Sequence, residues 1–339
     1  MVNYKKFSFL LRIAFQILVL KYMFKTDSSE LVFSTTIIIF VNYLNLILDL
    51  GLSLDQLSIK YGVRRLILGI KYITFISILF IIPASIYFSL PLYVSIFIAV
   101  TALFRNYYIK KQFVEKLFFL DLYGTIIALI IILISKYLMP FNIEYHYLVF
   151  LPPILEFILL IPIFLKLLFS KFKFRILFST QNYISKILDI TVNNTDTLLV
   201  TLLFDNIISK NYIHVKTIFV KGCQISNLLI LRVLYDKIEI MMNSKYIKLL
   251  FLSSLIICFF EFYFLGSIYS TSCIFSFILS LVSSYLVKHS NLKYYNIYNI
   301  IFYSIFYLIL LLFDLSPSLT FMATVTAIIT TQIYGTRKI

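Results

Sequence analysis

Apolar stretches separated by short polar or basic segments follow one another along the whole chain. Most of them approach the roughly 20 residues that an α-helix needs to cross the hydrocarbon core of a bilayer. We therefore predict an all-α polytopic membrane protein with about twelve transmembrane helices. The predicted spans are approximately 7–25, 31–53, 66–88, 90–105, 117–138, 147–168, 177–204, 212–234, 248–268, 271–287, 294–314 and 317–335.

The distribution of lysine and arginine predicts the orientation of these helices. If the N-terminus lies in the cytoplasm, most basic residues outside the spans fall in the internal segments. The external segments then hold only Lys21, Lys25, Lys136 and Lys210. Because cytoplasmic loops of membrane proteins are enriched in Lys and Arg, this bias places both termini in the cytoplasm.

The predicted spans divide into two sets of six. Residues 1–170 form an N-terminal six-helix bundle in this interpretation, and residues 171–339 form a C-terminal one. Both halves begin with basic and aromatic residues and have the same orientation. This arrangement is typical of transporters built from parallel repeats related by an axis along the membrane normal.

Composition supports the membrane class and argues against several soluble functions. The chain of 339 residues is 61% hydrophobic and has a formal net charge of +15. We attribute this charge to cytoplasmic loops rather than to nucleic-acid binding. The three cysteines lie in apolar stretches without metal-ligand spacing, and no phosphate loop, GxSxG or HExxH motif is present. The sequence therefore predicts neither an enzyme nor a metalloprotein.

The seventh predicted span carries an unusual number of polar residues for a membrane helix. Five of them follow a 4-3-4-3 spacing, which places them on one face of an α-helix. They are Asn182, Lys186, Asp189, Asn193 and Asp196. Since a charge exposed to lipid costs about 3 kcal/mol or more, this polar stripe is expected to face protein or water.

Three other spans also carry polar residues at helical spacing. These are Asn42, Asn45 and Asp49 in the second span, His214, Thr217, Lys221 and Gln224 with Lys216 beside them in the eighth, and Arg12 and Gln16 in the first. Together with the seventh span they are expected to line a hydrated, cationic cleft that attracts a diphosphate. The basic residues of this predicted cleft are Arg12, Lys186, Lys216 and Lys221.

Structural interpretations of the same residues stay open. Asp189 is able to neutralise Lys186 or a lysine of the eighth span, and Arg12 is able to reach the cytoplasmic surface along its own helix. Glu156 and Glu261 stand in apolar runs, where a carboxylate is a candidate proton or Na⁺ site. Asp121 lies about one turn inside the fifth predicted span and is able to pair with Lys116 or Lys71.

Three stretches resemble the Wzx-type O-antigen and polysaccharide flippases. VFSTTIIIFVNYLNLILDLGLSLDQLSIKYG, residues 32–62, resembles the second helix of that family, which ends in a Leu-Asp-Leu-Gly-Leu turn before a basic loop. DTLLVTLLFDNIISKNYIHVKTIFVKG, residues 196–222, is similar to its seventh-to-eighth helix passage. RNYYIKKQFVEKLFFLDLYG, residues 105–124, fits the basic aromatic loop before its fifth helix.

The resemblance implies a member of the multidrug/oligosaccharidyl-lipid/polysaccharide exporter superfamily. Such a protein would use alternating access to flip an undecaprenyl-diphosphate-linked oligosaccharide, an O-antigen or capsule repeat unit, from the inner to the outer leaflet of the bacterial inner membrane. The expected partners are this lipid-linked substrate and membrane lipids, with no nucleic acid, and the chain is expected to be a monomer. No cofactor is expected beyond a coupling H⁺ or Na⁺.

In that scheme the basic residues of the cleft hold the diphosphate, and polar residues balance their charge or carry the coupling ion. The latter are Asn42, Asn45, Asp49, Asn182, Asp189, Asn193, Asp196 and Gln224. An integral-membrane polysaccharide polymerase or acyltransferase is the enzyme alternative, although such a polymerase usually has a long external loop with catalytic Arg or His. A drug/ion antiporter of the same superfamily would need an acidic cavity instead.

Overall fold

The computed structural model describes most of the chain as α-helix. The described residues are 2–49, 62–110, 114–137, 144–170, 180–229, 238–242, 245–266 and 268–289, together with 297, 300–305, 308, 316–317, 320–321, 323–325 and 327. They separate into two compact units, Met1–Ile190 and Thr191–Ile339.

The first unit is built from helices that are connected by short turns where the connections are described. Its elements are α1 (Val2–Lys25), α2 (Ser28–Asp49), α3 (Gly62–Ile76), a π-helical segment (Ser77–Ile81), α4 (Ile82–Phe88), α5 (Val94–Lys110), α6 (Val114–Asp121), a second π-helical segment (Leu122–Ile126), α7 (Ile127–Tyr137) and α8 (Tyr145–Leu168). Each π-helical segment joins two α-helices without a break, so that residues 62–88 and 114–137 are continuous helices.

The boundary between the units falls inside α9 (Thr180–Leu203). The second unit continues with α10 (Asn206–Leu229), α11 (Ile238–Met242), α12 (Lys245–Leu265) and α13 (Tyr269–His289). Asp205 separates α9 from α10, and its Oδ1 accepts a hydrogen bond of 2.8 Å from the backbone N–H of Ile208. This N-cap explains why α10 begins at Asn206, before the predicted start at residue 212.

Four described helical stretches are long and apolar enough to cross a membrane. They are Ser28–Leu48, Leu66–Phe88, Glu115–Ile134 and Tyr145–Leu168. Shorter apolar helices cover Val94–Arg105, Leu249–Phe264 and Tyr269–Val282. The chain therefore has the all-α architecture and the apolar helices of a membrane protein.

Each of the first ten predicted spans overlaps a described helix, whereas the predicted spans 294–314 and 317–335 lie mostly outside the described residues. The division into bundles at residue 170 and the total of twelve crossings stay predictions.

Pro152, Pro153 and Pro162 lie inside α8 without ending it. Proline is tolerated in membrane helices because neighbouring groups satisfy the backbone atoms that it frees.

Large apolar side chains that are exposed to the surroundings cover one side of the continuous 62–88 helix and of α12. Phe80 is 62% exposed and Ile86 75%, and on α12 Phe259 and Tyr263 are 67% and 73% exposed. A soluble monomer rarely exposes so much contiguous apolar area. In a bilayer the same surface contacts lipid at no cost.

The interior of the second unit depends on close contact between α10 and α13. A Cβ atom added to Gly222 would lie 3.1 Å from Cβ of Ser276 and would also collide with its hydroxyl group. Ser280, one turn further along α13, donates a hydrogen bond of 2.9 Å to the carbonyl oxygen of Cys223. Small residues at these positions let the two backbones approach, as they do at many membrane helix interfaces.

We predict that Gly222→Ala destabilises the protein by about 1–3 kcal/mol, because the added methyl group overpacks the contact with α13. The temperature at which the detergent-solubilised protein loses its monodisperse chromatographic peak measures this effect. Gly222→Ala combined with Ser276→Gly should recover most of the loss, since the second change removes the atoms that the methyl group meets. Unchanged stability of the single variant would contradict this packing.

Candidate functional site

Charged side chains from four helices of the first unit form a connected network, which we call the Arg105 network. Its described members are Arg12 on α1, Arg105 on α5, Asp121 at the end of α6 and Glu156 on α8. Asp121 and Glu156 are almost completely buried, whereas the side chains of Arg12 and Arg105 are 31% and 18% exposed. Two positive and two negative charges therefore balance one another inside the unit.

Arg105 is the central member of this network. Its Nε donates to Oε2 of Glu156 at 2.7 Å, and its Nη2 binds Oε1 of the same carboxylate. Its Nη1 lies 2.8 Å from Oδ1 of Asp121. The planar guanidinium thus holds one carboxylate with two parallel bonds and reaches a second carboxylate with its third nitrogen, a geometry that lysine does not provide.

Arg12 forms one end of the network. Its Nε and Nη2 lie 2.8 and 2.6 Å from Oδ1 of Asp121. Asp121 is thus paired with Arg12 and Arg105. In this structure the side chain of Arg12 does not extend along its own helix to the cytoplasmic surface. Its guanidinium group instead contacts a buried carboxylate of a neighbouring helix.

Backbone geometry brings the network together. The π-helical segment Leu122–Ile126 follows Asp121 directly and contains the buried Gly124. A Cβ atom on Gly124 would lie 2.5 Å from Cγ of Glu156 and 3.0 Å from the carbonyl oxygen of Pro152. Glycine is therefore needed where α8 and its glutamate pass close to this segment.

A second buried charge pair lies in the second unit, between α9 and α10. The carboxylate of Asp196 is completely buried, and its Oδ2 accepts hydrogen bonds of 2.5 Å from both Lys216 Nζ and Tyr212 Oη. The Lys216 side chain is 6% exposed. We call this group the Asp196 cluster. The polar stripe predicted on the seventh span therefore meets the polar face predicted on the eighth, at Asp196 and Lys216.

The structure places the remaining predicted residues on their expected helices. Lys221 is partly buried on α10, and Asn42 and Asn45 are partly buried on α2. The side chains of six further predicted residues lie outside the described part of the structure. These are Asp49 on α2, Asn182, Lys186, Asp189 and Asn193 on α9, and Gln224 on α10. Arg12 belongs to the first unit, whereas Lys216 and Lys221 belong to the second.

Two other buried polar groups have structural partners. Both carboxylate oxygens of Glu261, on α12, accept hydrogen bonds from the backbone N–H groups and hydroxyl groups of Ser270 and Thr271. Glu261 thus caps the N-terminus of α13, where a negative charge is favourable. In the first unit, Nδ1 of His146 lies 3.1 Å from Oγ of Ser34 and 3.3 Å from Oε2 of Glu144.

Sequence reasoning does not identify Arg105 and Tyr212 as site residues. In the charge pattern, Arg105 is one more cytoplasmic positive charge, although an isolated glutamate in an apolar span requires a cationic partner. Glu156 therefore signals that a cationic partner exists, but it does not specify which residue that is. Tyr212 lies one helical turn before Lys216, so that both side chains project from the same face of α10.

Comparisons with protein-family models, with curated proteins and with solved structures find no match to this chain. The contacts of the chain's own residues therefore carry the functional argument.

We predict that Arg105→Ala destabilises the first unit far more than Arg12→Ala. Loss of Arg105 leaves Glu156 buried without its described cationic partner, which costs about 3–5 kcal/mol for an ion pair of this kind. Loss of the partly exposed Arg12 leaves Asp121 paired with Arg105. The chromatographic unfolding temperature of each purified variant measures the difference.

The double variant Arg105→Gln with Glu156→Gln serves as the control, because two neutral amides can hydrogen-bond without an uncompensated charge. It should be more stable than Arg105→Ala. If the two single variants lose equal stability, Arg105 is not the central member of the network.

Proposed function

We propose that the protein is a multi-pass transporter of the bacterial inner membrane that flips an undecaprenyl-diphosphate-linked oligosaccharide from the inner to the outer leaflet. In this proposal the chain forms twelve spans in two six-helix bundles, has both termini in the cytoplasm and works as a monomer by alternating access. The substrate would be an O-antigen or capsule repeat unit. The proposal extends the resemblance of residues 32–62, 105–124 and 196–222 to the Wzx-type flippases.

The observation that carries the proposal is the buried ammonium group of Lys216 beside Asp196. A lysine on a predicted membrane helix is costly and is retained mostly where it serves a substrate or an ion. Lys216 lies inside the stretch that resembles the flippases. Its ammonium group is a compact charge able to bind a phosphate oxygen through charge-assisted hydrogen bonds.

Lys216 is bonded to Asp196 in this structure. In the proposal it has to leave this carboxylate before it can bind the substrate. The diphosphate would replace the Asp196 carboxylate as the anion that Lys216 contacts. In the proposal, Asp196 holds the lysine in place until an anionic headgroup arrives. Lys221, five residues further along α10 and on a different side of the helix from Lys216, is a second cationic residue of the proposed set.

The Arg105 network has a different role in this proposal. It joins α1, α5, α6 and α8 through buried ion pairs. In the proposal these contacts hold the helices of the first unit together as a rigid frame. Arg12 belongs to this frame through its ion pair with Asp121.

We predict that the purified protein, reconstituted into liposomes, moves a fluorescent undecaprenyl-diphosphate-linked saccharide between leaflets. A membrane-impermeant quencher measures the fraction that becomes accessible. Lys216→Ala should reduce the rate at least tenfold, because one ammonium–phosphate contact is lost, and Lys216→Arg should keep part of it. Lys210→Ala is the matched control on the same helix and should leave the rate unchanged.

Full activity of Lys216→Ala would show that Lys216 does not bind the substrate. Equal movement of a neutral undecaprenol-linked saccharide would show that the diphosphate is not recognised. Chromatography of the recovered lipid addresses the enzyme alternative, since a polymerase or acyltransferase would change the length or the acylation of the saccharide.

A further inference from the structure

The hydroxyl group of Tyr212 and the ammonium group of Lys216 meet on a single oxygen atom. Each donates a hydrogen bond of 2.5 Å to Oδ2 of Asp196. Tyr212 and Lys216 are almost completely buried, with exposed fractions of 4% and 5%. If Lys216 leaves, the carboxylate still accepts the hydrogen bond from Tyr212, and a hydrogen bond to the charged form of an acid favours that form.

The ring of Tyr212 is held by a phenylalanine from the C-terminal part of the second unit. Phe321, which is 1% exposed, packs edge-to-face against Tyr212, with ring centroids 6.3 Å apart and ring planes at 81°. It makes the same kind of contact with Phe219, at 5.7 Å and 87°. Aromatic rings favour this arrangement, so that these contacts orient the tyrosine ring. Its orientation therefore does not depend on Lys216.

A further contact between α9 and α10 is also independent of Lys216. The hydroxyl group of Ser209, a fully buried residue, donates to the carbonyl oxygen of Val200 at 3.2 Å. Ser209, Tyr212 and Lys216 are spaced by three and four residues, so that they share the face of α10 that meets α9. The two helices are thus joined at Ser209 and at Tyr212 as well. Lys216 is able to change its partner without a separation of the helices.

The departure of Lys216 is the costly step of the proposed exchange, because it leaves a fully buried carboxylate without its ammonium group. The hydrogen bond that Tyr212 keeps on Oδ2 reduces this cost. The other oxygen of Asp196, Oδ1, has a weaker contact, the hydroxyl group of Thr197 at 3.5 Å. Without the tyrosine hydroxyl group, Asp196 would therefore hold Lys216 more tightly.

We propose that Tyr212 is a positioning residue, which acts through Asp196 and sets how readily Lys216 exchanges this carboxylate for an anionic headgroup. The hydroxyl group does not have to touch the substrate for this role. The release of Lys216 is a property of the Asp196 cluster alone. The identity of the headgroup as a diphosphate rests on the proposed function.

The release of Lys216 is measurable without any substrate. Acetic anhydride modifies a lysine only while its amine is free, and mass spectrometry of the full-length protein in detergent gives the rate for each lysine. Tyr212→Phe should slow the modification of Lys216 about tenfold, because a hydrogen bond to a charged group is lost from the state in which the lysine is free. Lys210, on the same helix, is the internal reference and should react at the wild-type rate.

The sign of this change separates positioning from a merely structural role. A hydroxyl group that only holds the hairpin together would, on removal, loosen α9 and α10 and make Lys216 react faster. Tyr263→Phe is the matched control, since Tyr263 on α12 is 73% exposed, and it should leave the rate unchanged. Phe321→Leu removes the contact that orients Tyr212 and should slow the modification of Lys216 by a smaller factor.

The lipid-flipping assay tests the consequence for the substrate. Tyr212→Phe should raise KM for the diphosphate-linked saccharide about tenfold with little change in kcat, because the substrate competes with a more tightly held Lys216. A loss of folded protein would instead lower the apparent kcat and leave KM unchanged. Tyr263→Phe should match the wild type in both quantities.

Modification of Lys216 that is unchanged or faster in Tyr212→Phe overturns the proposal. Slower modification in this variant, together with a wild-type protein that flips no lipid, overturns the proposed function and keeps the control of Lys216 by Tyr212. Lipid flipping by the wild type with the same KM in Tyr212→Phe overturns the positioning role and keeps the proposed function.

Discussion

A charge that is buried among apolar helices needs an opposite charge within hydrogen-bond distance, because the protein interior and the surrounding lipid provide little solvation. Both units of this protein obey this constraint. Arg105 binds Glu156 and Asp121 in the first unit, and Lys216 binds Asp196 in the second. This constraint determines how the helices pack around these residues, since each charged group must lie within a few ångströms of its partner.

The two groups differ in how many helices they join. In the Arg105 network the partners are 16 to 109 residues apart and come from four helices. In the Asp196 cluster they are 16 and 20 residues apart and come from two consecutive helices. A network that joins many helices resists displacement, whereas a pair within one hairpin is able to exchange partners by side-chain rotation. This contrast supports a frame in the first unit and a binding site in the second.

The helices of this fold were predictable from the sequence, and so was part of the site. Apolar length alone indicates the helices, because the hydrocarbon core sets it. The contact between Asp196 and Lys216 follows from polar faces on adjacent helices. The bond between Arg105 and Glu156 was not predictable, because it depends on which distant helices pack together. The π-helical segment after Asp121 was not predictable from the sequence either, since one extra residue in a helical turn leaves no periodic signal in an apolar run.

The separation of Arg12 from Asp121 has a consequence for the synthesis of the protein. The ribosome adds about 5–20 residues per second, so that α1 waits roughly 5–20 s before the aspartate 109 residues downstream has been made. During this interval the guanidinium group has to remain near the lipid headgroups or beside the insertion machinery. The ion pair between Arg12 and Asp121 therefore cannot form before α6 has been synthesised, so that this contact is a late step in the assembly of the first unit.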